Sequence, residues 1–180
     1  MPGSGCRGFT LLELMFTVAI ASVLLGLAVP AFNGLWLDSQ RTVAVNALVH
    51  GIFLARTNAS LRGRTVAICA SHDGQSCAEI GADWQVGWMV FENLDRDSPP
   101  TRDEGEPVLA VQAAWPGGSI VSNRRSYSFR PHYHGVINGT LVFCDRRGST
   151  QARAIVINNA GRPRVTTRDS DNRPLRCPTG

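Results

Sequence analysis

One stretch limits what this chain can be more than any other. Residues 14–32 read LMFTVAIASVLLGLAVPAF, 19 residues without a charge, and Glu13 stands at the N-terminal edge. As an α-helix such a run spans about 28 Å, close to the hydrocarbon thickness of a bilayer. Arg7 precedes it, which favours a cytoplasmic N-terminus. A secretory signal peptide would carry small residues for cleavage after the apolar run. Ala28-Val29-Pro30-Ala31 is a poor version of that site, because Pro30 lies inside it. A membrane anchor over residues 10–32 is the simpler expectation.

An anchor alone does not explain Glu13. A carboxylate in a membrane helix costs about 2.5–3.5 kcal/mol on insertion scales. A partner of opposite charge removes much of that cost. Cleavage between Gly8 and Phe9 would create one, a new α-amino group four residues before the acid. The two groups neutralise each other better between packed subunits than within one helix.

The segment GFTLLELM, Gly8 to Met15, resembles the processing site of type IV pilin-like proteins. The resemblance implies that a prepilin peptidase removes residues 1–8 and methylates Phe9. It implies that Glu13 pairs with the amino group of a neighbouring subunit during filament assembly. Pro30 matches the place where pilin helices often bend.

The helical period continues past the membrane run. Val45, Leu48, Val49, Ile52, Ala55 and Ala59 recur at i, i+3, i+4, giving one apolar face. Gln40, Arg41, Asn46, His50 and Arg56 are expected mostly on other faces. Arg62 and Gly63 supply a cation in the last turn and a glycine stop. The helix is thus expected over residues 9–62, about 80 Å if unbroken. Its N-terminal half is expected to protrude, and Gly34 to loosen the join.

From residue 63 the pattern becomes that of strands. Thr65–Cys69, Trp84–Phe91, Val108–Ala114 and Ser126–Arg130 are expected strands. Val136–Phe143 is expected as a hairpin around Asn138-Gly139. A late strand, Ala154–Asn158, is expected to continue through Val165. The acidic, proline-bearing stretch 93–107 is expected as a surface loop. The fold class is α+β: a long N-terminal helix, half transmembrane, packed on an all-β head over residues 63–180. The runs LARTNASLRGRTVAIC and DWQVGWMVFENLD resemble the GspH/FimT branch of minor pilins and pseudopilins. Gly87 is expected to relieve crowding beside Trp84 and Trp88 or to mark a bulge.

Cys6 lies in the segment that the resemblance removes, and Cys69, Cys77, Cys144 and Cys177 remain. An even set suits disulfides in an oxidising compartment such as the bacterial periplasm. Four cysteines allow three pairings. Cys69 with Cys77 would close a short loop, and Cys144 with Cys177 would tie down the tail.

Charge is unevenly spread. Residues 1–123 hold seven Arg against eleven acids, a net of −4, and residues 124–180 hold eleven Arg against three acids, a net of +8. Such a basic end suits an anionic partner. Arg162 and Arg164 flank Pro163, and residues i and i+2 of an extended segment face the same way. Arg168, Arg173 and Arg176 follow, while Arg124, Arg125, Arg146 and Arg147 are expected to extend the patch. Guanidinium groups so placed bind phosphate bidentately. Gly161-Arg162-Pro163-Arg164 resembles the Gly-Arg-x-Arg motif of FimT-type minor pilins, which implies DNA as a partner. The competing expectation is solvated arginines, or ion pairs to the acidic 92–106 loop.

No enzyme motif is present: there is no GxSxG elbow, Walker loop or dinucleotide fingerprint. No CxxC pair occurs, and His132 with His134 lacks a third ligand at convincing spacing, so no metal or cofactor is expected. The partners implied are other pilin or pseudopilin subunits, the prepilin peptidase, the inner membrane and DNA. The alternative set is the components of a type II secretion system.

Overall fold

The computed structural model describes residues 8–79, 83–131 and 138–178, the side chain at position 30 excepted. Helix α1 spans Leu11–Arg62. The chain divides into two compact units, Met1–Ser39 and Gln40–Gly180.

In the first unit the large apolar side chains of α1 stay in the open. Phe16, Leu24 and Val29 are each more than half exposed. The helix contains a stretch long and apolar enough to cross a membrane, none of it buried. A helix that is apolar on all sides calls for a lipid or protein surround.

Among the described residues, the second unit holds residues 40–62 of α1 and eight strands. They are β1 (Val66–Ala70), β2 (Gly87–Glu92), β3 (Val108–Ala113), β4 (Gly118–Ser122), β5 (Ser126–Phe129), β6 (Gly139–Asp145), β7 (Arg153–Ile157) and β8 (Pro163–Thr166). Two antiparallel sheets form, in the orders β3-β2-β1-β5 and β4-β6-β7-β8. The expected helical stripe, Val45, Leu48, Ile52, Ala55 and Ala59, packs into one core with both sheets. The strands contribute at period two. Val66, Ile68 and Ala70 of β1 join that core, while Ala67 and Cys69 face a second cluster with Met89 and Phe91. Strands β1 and β2 are therefore buried on both faces, which explains their near-continuous apolar sequences, whereas the edge strand β3 is largely exposed.

Several sequence expectations change. Arg41 is not on an open face: it is buried, 3% exposed, and its guanidinium pairs with buried Asp145 at 3.1 Å. Periodicity alone cannot reveal a partner 104 residues away. Trp84–Val86 form a 3-10 turn, and the strand starts at Gly87. Gly87 has φ +118, and a Cβ there would approach the carbonyl oxygens of Gln112 and Ser71 to 2.7 and 2.8 Å. Close backbone approach, not crowding by indoles, requires the glycine. Strand β4, with its serines and glycine, gave no alternating signal. The late strand does not run on to Val165. The chain reverses over 158–161, with Gly161 at φ +69, and β8 pairs back on β7 with Val156 opposite Arg164.

Val136 and Ile137, the first arm of the expected Asn138-Gly139 hairpin, lie outside the described residues, as do His132 and His134. Gly139 itself opens β6, whose neighbours are β4 and β7. In the 93–107 loop, Asn93 and Glu106 are buried. Glu106 accepts the N–H of Leu94 at 2.5 Å and of Asp103 at 3.1 Å, and so ties the loop together.

Candidate functional site

Two regions hold the residues that the sequence singles out. At the N-terminus, Phe9 is 87% exposed and α1 starts two residues later. Thr10 and Glu13 form a reciprocal cap. Glu13 Oε2 accepts the backbone N–H of Thr10 at 3.3 Å, and Thr10 Oγ1 accepts the N–H of Glu13 at 3.3 Å. This is a capping box, and the Thr-x-x-Glu spacing at residues 10–13 already contained it. The carboxylate therefore also has a structural task, because it folds back over the first helical turn.

The second region is the outer face of the second sheet and the tail that crosses it. Ile155 and Ile157 of β7 point into the core. Val156, between them, faces outward, and so does its cross-strand partner Arg164. The ladder continues for one more bond, from Asn158 N–H to Arg162 O at 3.2 Å. Alternation then places Arg162 on the face of Arg164. Both side chains are exposed, and neither makes a hydrogen bond or ion pair among the described residues.

The tail beyond β8 is fixed at several points. Leu175 packs with Cys144, Ala152 and Ala154. Cys144 and Cys177 are bridged, and so are Cys69 and Cys77. Arg168 and Pro174 form a bridge across a turn. Asp169 caps that turn by accepting the N–H groups of Asp171 and Arg173 at 2.9 and 2.8 Å. Arg168 donates to the Asn172 carbonyl at 3.0 Å, and Arg173 pairs with Asp171 at 3.3 Å in the open. Arg176 is exposed and makes no such contact among the described residues. No described ion pair joins the tail arginines to the 92–106 loop, whose Glu92 pairs instead with Arg62 and Arg64.

The expected extension of the patch is smaller than charge counting suggests. Arg147 is committed to Asp145, with guanidinium contacts of 3.1 and 2.7 Å. Those bonds, ahead of other contributions, hold the Asp145 carboxyl below its ordinary range despite burial. Arg124 donates to the Asn138 carbonyl at 3.1 Å. Arg146 is exposed and Arg125 half-buried.

Among known families, the description "Type II transport protein GspH" matches residues 44–161, about two thirds of the chain. The chain belongs to the GspH family. The prokaryotic N-terminal methylation motif matches residues 3–29 of this GspH-family protein, a stretch that contains Gly8, Phe9 and Glu13. No curated protein sequence matches. Two crystal structures of the type IV minor pilin FimU of Pseudomonas aeruginosa PAO1 are similar. One, in space group P65, is 17% identical, covers 76% of this chain and 98% of its own, and has a TM-score of 0.54. The other, in space group P21, is 18% identical, covers 78% and 94%, and has a TM-score of 0.51. The fold is thus type IV pilin-like, an apolar N-terminal helix followed by antiparallel sheets. The GspH match ends at residue 161, before the first arginine of the tail. The family resemblance carries the helix and the head, and the basic tail must be argued from its own chemistry.

Proposed function

We propose that this protein is a minor subunit of a type IV pilus-like filament whose head also holds DNA. The precursor is a single-pass inner-membrane protein with its head in the periplasm. A prepilin peptidase cuts between Gly8 and Phe9 and methylates the new amine. Glu13 then pairs with the N-terminal amine of a neighbouring subunit as the helix enters the filament. A methylation-motif match joined to a pilin-like head supports this part of the reading.

The DNA part rests chiefly on one observation: Arg162 and Arg164 stand free on one face of a disulfide-tied region with a large positive excess. Guanidinium groups that are not engaged elsewhere can meet phosphates without first breaking an ion pair. Binding of this kind is indifferent to sequence and sensitive to salt. The test is filter retention of labelled DNA by the full-length chain in detergent. Arg162→Gln with Arg164→Gln should weaken retention and lower the slope of log K against log salt by about 2. Unchanged retention and slope would remove these arginines from the account.

A second reading places the chain in a type II secretion pseudopilus, and the matched family's own description favours it. Deletion of the gene separates the two. Lost DNA uptake with intact exoprotein secretion supports the pilus reading. Lost secretion with intact DNA uptake overturns it.

A further inference from the structure

Two cavities adjoin on the outer face of the second sheet. One, of about 540 Å³, is lined by Asn123, Thr140, Val156, Asn158 and Ser170 among others. The other, of about 750 Å³, shares Asn123, Thr140 and Ser170 with it and runs on to Val142, Arg173 and Arg176. The shared residues join them into one cleft between the strands and the C-terminal tail. Its floor, Val142 and Val156, is aliphatic.

The polar lining offers groups that nothing else uses. Asn123 Oδ1 accepts the N–H of Thr140 at 2.8 Å. Asn158 Oδ1 accepts the N–H groups of Ala160 and Arg162 at 3.0 and 2.9 Å. With both oxygens engaged, the two amide NH2 groups are left without a partner among the described residues. The hydroxyls of Thr140 and Ser170 are likewise unused. Charge cancels along the wall, where Arg173 and Arg176 stand against Asp169 and Asp171.

A neutral cleft with unused donors and an aliphatic floor suits a flat, uncharged group bearing acceptors on its edge, and not a phosphate. Arg164, across the ladder from Val156, stands beside that floor. A phosphodiester held by Arg162 and Arg164 would bring the attached base to the mouth of the cleft. We infer that the cleft takes an unpaired nucleobase, so that the head grips single-stranded DNA by base as well as by backbone. This rests on the DNA reading above. In a duplex the base is stacked away and must be unstacked before it can enter the cleft. No aromatic side chain lines the cleft among the described residues, so stacking adds little and the effect is moderate.

The experiment uses the full-length chain in detergent, with fluorescence anisotropy at fixed salt. Three probes are compared: a single-stranded oligonucleotide, an abasic strand of equal length, and the duplex. The abasic strand carries the same phosphates, so the difference isolates the base. The single strand should bind about fivefold tighter than the abasic strand, the size of one net hydrogen bond from the cleft's unused donors. Ser170 is exposed, and Ser170→Leu should block the cleft without adding a ring on which a base could stack. It should erase that difference and leave duplex binding unchanged. Equal affinity for normal and abasic strands, or a difference that survives Ser170→Leu, overturns the inference while duplex binding by the arginines stands. No binding of any probe overturns the DNA reading itself.

Discussion

The six-membered ring of Trp88 lies directly against Gly51. A Cβ on Gly51 would stand 2.6 Å from both Cη2 and Cζ3 of that indole. The contact sets how closely α1 approaches the first sheet, because Trp88 also belongs to the central core.

Gly51→Ala is therefore a test of that spacing. Alanine gains roughly 1 kcal/mol in helix propensity over glycine. Overpacking a filled core costs about 1–3 kcal/mol, so the net expectation is a loss of about 1 kcal/mol. Thermal unfolding of the full chain in detergent, followed through the near-ultraviolet signal of the tryptophans, reads it directly. A stabilised variant would mean that helix and sheet have slack between them.

Arg41 and Asp145 are both almost wholly buried, with side chains 4% and 1% exposed. Removing one member of such a pair strands the other and costs about 3–5 kcal/mol. The two deletions should differ, however. Asp145→Asn removes the carboxylate that Arg41 and Arg147 share. Arg41→Met leaves Asp145 still bonded to Arg147. Asparagine at 145 should thus be the more damaging change in a denaturant titration, and the reverse order would count against the shared-carboxylate picture.

The same carboxylate predicts acid sensitivity. Hydrogen bonds from Arg147 come first among the causes that hold Asp145 below its unfolded value. Asp73 shifts the same way, chiefly through the N–H of Gln75 and then of Ser76. A depressed carboxyl contributes stability that is complete above its unfolded pKa, about 3.9. That stability disappears as pH falls through the lower folded value. The melting temperature should accordingly hold steady through neutral pH and drop below about pH 4. Asp73→Asn should flatten part of that drop; an unaltered acid profile would show that the loop cap is not linked to folding.

Glu13 caps α1, and a pair of substitutions separates that role from the charge pairing proposed for it. Gln keeps the acceptor that caps Thr10 but removes the charge, whereas Thr10→Val removes the hydroxyl of the cap and keeps the charge. If charge pairing between subunits drives entry into the filament, Glu13→Gln should abolish incorporation while Thr10→Val reduces it only mildly. Immunoblots of sheared filaments distinguish the two. Equal, mild losses would reduce Glu13 to a helix cap.

The Cys144–Cys177 bridge closes a loop of 33 residues, and the chain-entropy relation assigns it just under about 4 kcal/mol. Cys144→Ser with Cys177→Ser should lower the melting temperature and expose the tail to protease between 167 and 178. A protected tail would mean that Leu175 and the turn capped by Asp169 are enough to hold it.

Much of this molecule can be read without coordinates because its decisive signals are local. An uncharged run, one acid at its edge, a glycine before it and a helical stripe from Val45 to Ala59 are all patterns within a few turns of chain. So are the Thr-x-x-Glu cap and the alternation of β1, where each side chain's direction follows from its neighbours. Strand β4 escaped because Gly118-Ser119-Ile120-Val121-Ser122 takes its order from pairing with β6, a partner 19–27 residues away, and not from its own composition. The turn over 158–161 escaped because the strand after it, Pro163–Thr166, reads PRVT and carries almost no apolar signal of its own.

Sequence alone therefore determined the long apolar helix, the N-terminal methylation motif, the class of the head and the sign of its tail, since each depends on spacing along the chain. Tertiary structure decided which charges are spent and which are free. Arg41 and Arg147 are consumed by one buried carboxylate, whereas Arg162 and Arg164 are left open on a sheet edge. The physical reason is that a charge is neutralised by whatever lies within a few ångströms of it, and only folding brings residues 41 and 145 that close.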